Sequence, residues 1–300
     1  MMRALGLAGL ALIAGACARP SVVSEATSVR SDSVVAVTEL ARFRDARALA
    51  ADPAGRLYVV DAAESAVAML ATDGARLNTL GGPGTGTYAF LDPADVDPAN
   101  GLDLFVADAG NGRIQRYSTD GRFIETIPVP TGETLGDQRE QNAGSPIAVA
   151  VGAAQSLYAI EEQRGVVLHW EAGRRLMRVL GDQTAGPGAL AEPVDLAVGP
   201  EGRVFVADRR RGAVLVYDAL GTFVRAVPGE PAGAVHALAL ARAPEGVRLL
   251  VVGPRAVAVH RVEGGLTEVL AFDLDEPLVD AAVVGDALVV LTATRLLRAD

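Results

Sequence analysis

Leu104-Phe105-Val106-Ala107-Asp108 and Val204-Phe205-Val206-Ala207-Asp208 lie a hundred residues apart and differ at one position. The same pattern stands between and before them, as Leu57-Tyr58-Val59-Val60-Asp61 and Leu157-Tyr158-Ala159-Ile160-Glu161. Two degenerate copies follow, Leu249-Leu250-Val251-Val252-Gly253 and Leu288-Val289-Val290-Leu291-Thr292. The six copies end at intervals of 47, 53, 47, 45 and 39 residues. Recurrence at this period marks an array of similar supersecondary units.

The surroundings of each copy recur as well. Before the fourth lies the apolar run Pro193–Val198 and the turn Gly199-Pro200-Glu201-Gly202. Nine residues after the terminal position sits a large or aliphatic residue: Leu70, Tyr117, Trp170, Tyr217 and Val262. A turn comes next, such as Asp73-Gly74, Asp120-Gly121 or Leu220-Gly221, and then a last short run such as Arg122–Ile127. Runs of four to seven residues bounded by Gly, Pro and Asp are strands rather than helices. Each unit therefore reads as four antiparallel strands. One such sheet cannot bury both its faces, but a ring of sheets packed face to face can. The expected fold is all-β, a six-bladed β-propeller of four-stranded antiparallel blades. The sixth unit runs out of chain, with only Thr294–Arg298 left after Leu291. The unassigned run Ser33–Leu40 is predicted to pair with the last blade and close the ring.

Asp108-Ala109-Gly110-Asn111-Gly112-Arg113-Ile114-Gln115-Arg116-Tyr117 closely resembles an NHL repeat, as does Leu80–Phe90 ahead of Pro93. The resemblance covers about residues 33–300 and is strongest in units one, two and four. It implies the propeller fold and says little about chemistry.

The chain is 300 residues long, 50% hydrophobic, 21% charged and 4% aromatic, with formal net charge −10. That charge argues against nucleic-acid binding, which rests on cations neutralising phosphates. The single cysteine, Cys17, excludes an internal disulfide. Arg3 followed by the apolar run Ala4–Ala16 is an export signal too short to span a bilayer comfortably. Leu12-Ile13-Ala14-Gly15-Ala16-Cys17 resembles the lipobox of bacterial lipoproteins, which implies a lipid on Cys17; plain secretion after Ala14-Gly15-Ala16 is the competing reading. The expected layout is a signal peptide over 1–16, a flexible tether over 17–32 and the propeller over 33–300. The expected location is the cell envelope; by resemblance to enterobacterial lipoprotein sorting, Ala18 rather than Asp after the cysteine implies the outer membrane.

Candidate functional residues gather on the face where the first strand of each blade begins. Asp95, Asp195 and Asp280 fall near those starts, with His236 beside them, and Ala48 and Ala148 take the corresponding places in units one and three. Carboxylates around a channel mouth suit a polar ligand or a hard cation such as calcium, although solvated residues of a wet channel would look the same. Arg209-Arg210-Arg211 forms a candidate anion site, with Glu161 and Glu162 of the preceding unit expected to neutralise it. The recurring Asp61, Asp108, Glu161 and Asp208 are expected to be structural, accepting backbone N–H bonds. His169 and His260 are expected in structural or surface roles. The long connection Val129–Ser145, with Asp137, Arg139, Glu140 and Asn142, is expected to fold over the channel mouth.

No helix-borne metal motif and no histidine pair at metal spacing occurs. Gly81–Gly86 lacks the Lys-Ser/Thr of a phosphate loop and reads as a blade linker. The resemblance brings enzymes of similar shape into view, namely lactonases, an amidating lyase and an antibiotic-opening lyase. Three scattered histidines do not match the zinc site of the amidating lyase, and Asn78, Asn100, Asn111 and Asn142 miss the inner-strand starts that lactonase calcium sites use. The expected function is a monomeric, cofactor-free, non-catalytic module that binds a protein, peptide or glycan in the envelope. The alternative is a metal-dependent lactonase or lyase centred on Asp95, Asp195, His236 and Asp280.

Overall fold

The computed structural model describes residues 34–98, 101–131, 143–171, 175–244, 246–263 and 265–300. Cys17, the signal and tether segments, and the connection from Gly132 to Asn142, with Asp137, Arg139, Glu140 and Asn142, lie outside them.

Six four-stranded antiparallel sheets form the described chain. A first strand β1 (Val37–Arg42) precedes blade one, which comprises β2 (Ala46–Ala51), β3 (Leu57–Asp61), β4 (Ala66–Leu70) and β5 (Arg76–Gly81). Blade two is β6 (Pro93–Asp97), β7 (Asp103–Asp108), β8 (Arg113–Ser118) and β9 (Phe123–Pro128). Blade three is β10 (Pro146–Val151), β11 (Leu157–Glu161), β12 (Val166–Glu171) and β13 (Arg175–Leu180). Blade four is β14 (Pro193–Val198), β15 (Val204–Asp208), β16 (Ala213–Tyr217) and β17 (Phe223–Pro228). Blade five is β18 (Ala237–Ala243), β19 (Gly246–Val252), β20 (Ala256–Arg261) and β21 (Leu266–Ala271). Blade six is β22 (Leu278–Val284), β23 (Ala287–Thr292), β24 (Arg295–Ala299) and, as its outer strand, β1.

The repeated motif is the second strand of each blade, and strand periodicity explains its apolar run. Side chains alternate between the two faces of a strand, and both faces are covered here. In β3, Leu57 and Val59 pack against blade six, while Tyr58 and Val60 pack against blade two. In β15, Val204 and Val206 meet blade three, and Phe205 and Ala207 meet blade five. Among the described residues the core divides into six apolar clusters, one at each blade-to-blade interface. Each fully buried Val or Leu adds roughly 1.5–3 kcal/mol. Leu70, Tyr117, Trp170 and Tyr217 close the third strands and are buried. The turns that follow require left-handed backbone, which Gly74, Gly121 and Gly221 supply with φ between 81° and 87°.

Ring closure uses the N-terminal segment with a small shift. The pairing strand is Val37–Arg42, antiparallel to β24 with Val37 opposite Ala299. It runs two residues past the predicted end at Leu40. Val34 instead bridges Ala271 of blade five in parallel, and Val35 N donates to Ala271 O at 2.9 Å. Phe43 is then buried in the cluster between blades six and one. The segment thus seals one blade and touches its neighbour.

Candidate functional site

The innermost strand of each blade runs along the central channel, and in five blades it opens with a register shift. The shifts fall between Ala46 and Ala48, Pro93 and Asp95, Pro146 and Ala148, Pro193 and Asp195, and Leu278 and Asp280. A bulge re-aims the extra residue. Here those residues are Arg47, Ala94, Ile147, Val194 and Val279, and all five line one cavity of about 300 Å³. β18 has no such shift; His236, whose N–H bonds Val252 O just before the strand, completes the circle. Arg209 reaches the same cavity from the turn after β15. The mouth therefore collects inner-strand starts and a second-to-third-strand turn on one face, as the sequence indicated.

One step deeper, the side chains alternate around the ring: Ala48, Asp95, Ala148, Asp195, Ala237, Asp280. The three aspartates form a waist, because they line both the mouth cavity and a second space of about 180 Å³ beneath it. Each carboxyl spans two blades. Asp95 accepts from its own neighbour Val96 N and from Val149 N of blade three, both at 2.7 Å. Asp195 accepts from Leu196 N and from Leu238 N of blade five, both at 2.7 Å. Asp280 accepts from Ala281 N and, across the closing seam, from Leu49 N of blade one, again at 2.7 Å. Asp97 adds a similar bond to Val151 N at 2.6 Å. Asp280 is buried, and Asp95 and Asp195 are half-buried against the channel.

Burial sets the charge state of this ring. It pushes the Asp280 carboxyl up to about 8, against its two N–H donors and with help from Asp95. Burial likewise raises Asp95 and Asp195 well above the usual carboxylate range, with Asp195 acting on the first and Asp280 on the second. The three groups titrate as one coupled set. Among the described residues no three His, Cys, Asp or Glu side chains are placed to hold a metal ion. Asp95, Asp195, His236 and Asp280 thus surround one cavity, but they offer no ligand set for the calcium envisaged from the sequence.

His236 directs Nδ1 to Leu278 O at 3.0 Å. The arginine triplet is split. Arg209 Nη1 pairs with Glu192 at 3.2 Å and Arg210 Nε lies 3.9 Å from the same carboxylate, whereas Arg211 donates to Pro187 O at 3.2 Å. Neutralisation comes from Glu192 of the same blade, not from Glu161 and Glu162. The correction follows from Glu161 being fully buried, with its oxygens on Ser145 N, Gln163 N and Arg164 N. Only Arg209 of the three faces the mouth cavity.

The other repeated acids do the same work as Glu161. Asp61 accepts from Arg44 N and Asp45 N, and Asp108 from Leu91 N. Asp208 accepts from Ala191 N, Glu192 N and Arg211 N. Each ties the loop entering its blade to the end of the second strand. Arg113 stacks further support on blade two, donating from Nε to Asp108 and from its Nη atoms to Thr85 O, Gly86 O and Ala89 O. The Gly81–Gly86 stretch is therefore a clamped linker. His169 lies flat on Tyr158 with ring centroids 4.2 Å apart, and His260 is buried; burial lowers the pKa of both.

Five of these six ring positions were legible in the sequence, and Ala237 was not, for a definable reason. In the first four blades this position lies thirteen residues before the motif's terminal residue; in blades five and six the offset is sixteen and twelve. The longer β18–β19 hairpin displaces Ala237, so in blade five the sequence pointed to His236 and not to Ala237 as the companion of Asp95, Asp195 and Asp280. A repeat alignment allowing unequal hairpins would have exposed the signal.

The six four-stranded antiparallel sheets of the described residues define the chain as a six-bladed β-propeller. Residues 190–217, from the linker into β16, match the NHL repeat family. No curated protein matches the chain. Among solved structures it resembles a streptogramin B lyase at 10% identity, with TM-score 0.64, over 88% of this chain and 97% of that one. Virginiamycin B lyase from Staphylococcus aureus is similar at 12% identity, with TM-score 0.61, over 88% and 99%. A luciferin-regenerating enzyme follows at 14% identity, with TM-score 0.62, over 88% and 94%. At these identities the likeness is one of fold.

Proposed function

We propose that this chain is a non-catalytic binding module of the cell envelope, exported and held to the membrane by a lipid on Cys17. It takes a protein, peptide or glycan group at the mouth cavity. The observation that carries this reading is the state of the ring carboxyls. Both oxygens of each are engaged by amide N–H groups at 2.7 Å, which makes them clasps between blades and a polar floor to the cavity. A metal-dependent lactonase or lyase needs a ligand set, and among the described residues no three His, Cys, Asp or Glu side chains are placed to hold a metal ion. The rim of Arg47, Arg209 and His236 supplies donors suited to recognition.

Passing an envelope extract over the purified full chain tests this. A ligand retained by the native protein, eluted chemically unchanged and lost with Arg209→Glu, is the expected result. A ligand that elutes cleaved, opened or otherwise altered replaces the module with an enzyme.

A further inference from the structure

The mouth cavity is chemically two-sided. Its rim carries Arg47 and Arg209 with His236, and its floor carries Asp95, Asp195 and Asp280. The rim cations are held only by exposed partners, Arg209 by Glu192 and Arg47 by Asp45 and Asp92. Exposed pairs of this kind are worth at most about 1 kcal/mol, so a ligand anion can exchange into them. The floor is different. Its carboxyls line one cavity together, and among the described residues no three His, Cys, Asp or Glu side chains are placed to hold a metal ion. A cavity floored by carboxyls suits a hydrogen-bonding cation such as an ammonium.

We propose, resting on the binding-module reading, that the ligand group received here is a small zwitterion, with a primary ammonium seated over the aspartate ring and a carboxylate turned to Arg47, Arg209 and His236. A free amino acid and a short peptide share this chemistry. A volume of about 300 Å³ lies at the small end for ligand pockets and favours a dipeptide-sized occupant. The seat also has a titratable consequence. The groups facing the ammonium are the three ring aspartates, with Asp97 below and Arg47, Arg209 and His236 above. Burial and repulsion between neighbouring carboxyls raise these groups, and an arriving cation favours their charged forms, so binding releases protons and tightens as pH rises toward about 8, the value of Asp280.

Calorimetry on the full chain tests it with alanine, Ala-Ala, N-acetyl-Ala-Ala and Ala-Ala amide, in two buffers of different ionisation enthalpy. Ala-Ala is expected to bind best and to release protons. N-acetylation and amidation are each expected to weaken binding at least tenfold, and free alanine to bind more weakly than the dipeptide. Arg209→Ala, a rim change with no role in the core, is expected to weaken Ala-Ala while leaving Ala-Ala amide unaffected. Equal binding of the acetylated and free dipeptides overturns the proposal, and so does the absence of binding by all four probes. In the latter case, retention of another envelope ligand leaves the module intact. Cleavage of bound Ala-Ala does the reverse, sinking the module while keeping the ligand class.

Discussion

Each aspartate of the channel ring is pulled two ways. Two short bonds from backbone amides favour its charged form, while burial and one neighbouring ring carboxyl favour its neutral form. For Asp280 the second influence prevails, and its folded-state value of about 8 stands above that of an unfolded aspartate. A carboxyl raised in this sense stabilises the fold fully below its unfolded value and loses that contribution as pH climbs through the folded one. Stability should therefore decline between about pH 4 and pH 8. Asp275 and Glu276, whose carboxyls are lowered by Arg295 and Thr294 respectively, work in the opposite direction only near and below pH 4, and they are exposed enough to matter little. Urea unfolding across this range should show the native protein losing its margin over Asp280→Asn as pH rises. A margin that grows with pH would show the ring to be ionised in the fold. Another residue-scale detail concerns Gly253, which stands where earlier copies carry Asp or Glu. A Cβ there would lie 1.8 Å from Ala232 O. The linker into blade five thus occupies the space that an acid fills elsewhere.

Among the elements, β1 carries the most consequence for its length. It covers the edge of β24, and around it Thr38 Oγ1 donates to Asp300, Asp300 N to Ala36 O and Phe43 N to Thr294 O. Removing residues 34–43 takes away a strand, the buried Phe43 and the bridge to blade five at once. Free edge strands also template unwanted pairing. The truncated protein should lose most of its far-UV β signal at 37 °C or elute as aggregates. A monomer with native circular dichroism would show that blade six stands without its borrowed strand. The bulges at the inner-strand starts matter in another way, because they decide that Arg47 and its counterparts face the cavity. The alternation of a plain strand would have sent them elsewhere.

In the whole molecule, stability is distributed over six similar interfaces, and each blade contributes to two of them. Opening any one interface breaks the ring, since Asp280 and β1 tie the last blade to the first and to the N-terminal segment. Unfolding should accordingly be a single cooperative transition. Trp170, the only tryptophan, reports from the interface of blades two and three. Its fluorescence should change at the same denaturant concentration as far-UV circular dichroism. Separated midpoints would show that blades unfold in groups.

The repeating Leu/Val-aromatic-Val-Ala-Asp strands determined by themselves the number of blades, the strand count in each and the structural role of the terminal acids, because period and burial on both faces are properties of local sequence. Asp95, Asp195, His236 and Asp280 were legible as neighbours at one mouth for the same reason. What only the tertiary structure decided was their use. The carboxyls clasp one blade to the next, across 43 to 231 residues of chain, while also flooring the cavity, and the cavity wall is made by bulged residues. Both depend on where a second strand, distant in sequence, places its amide groups, and a single strand read alone carries no record of that.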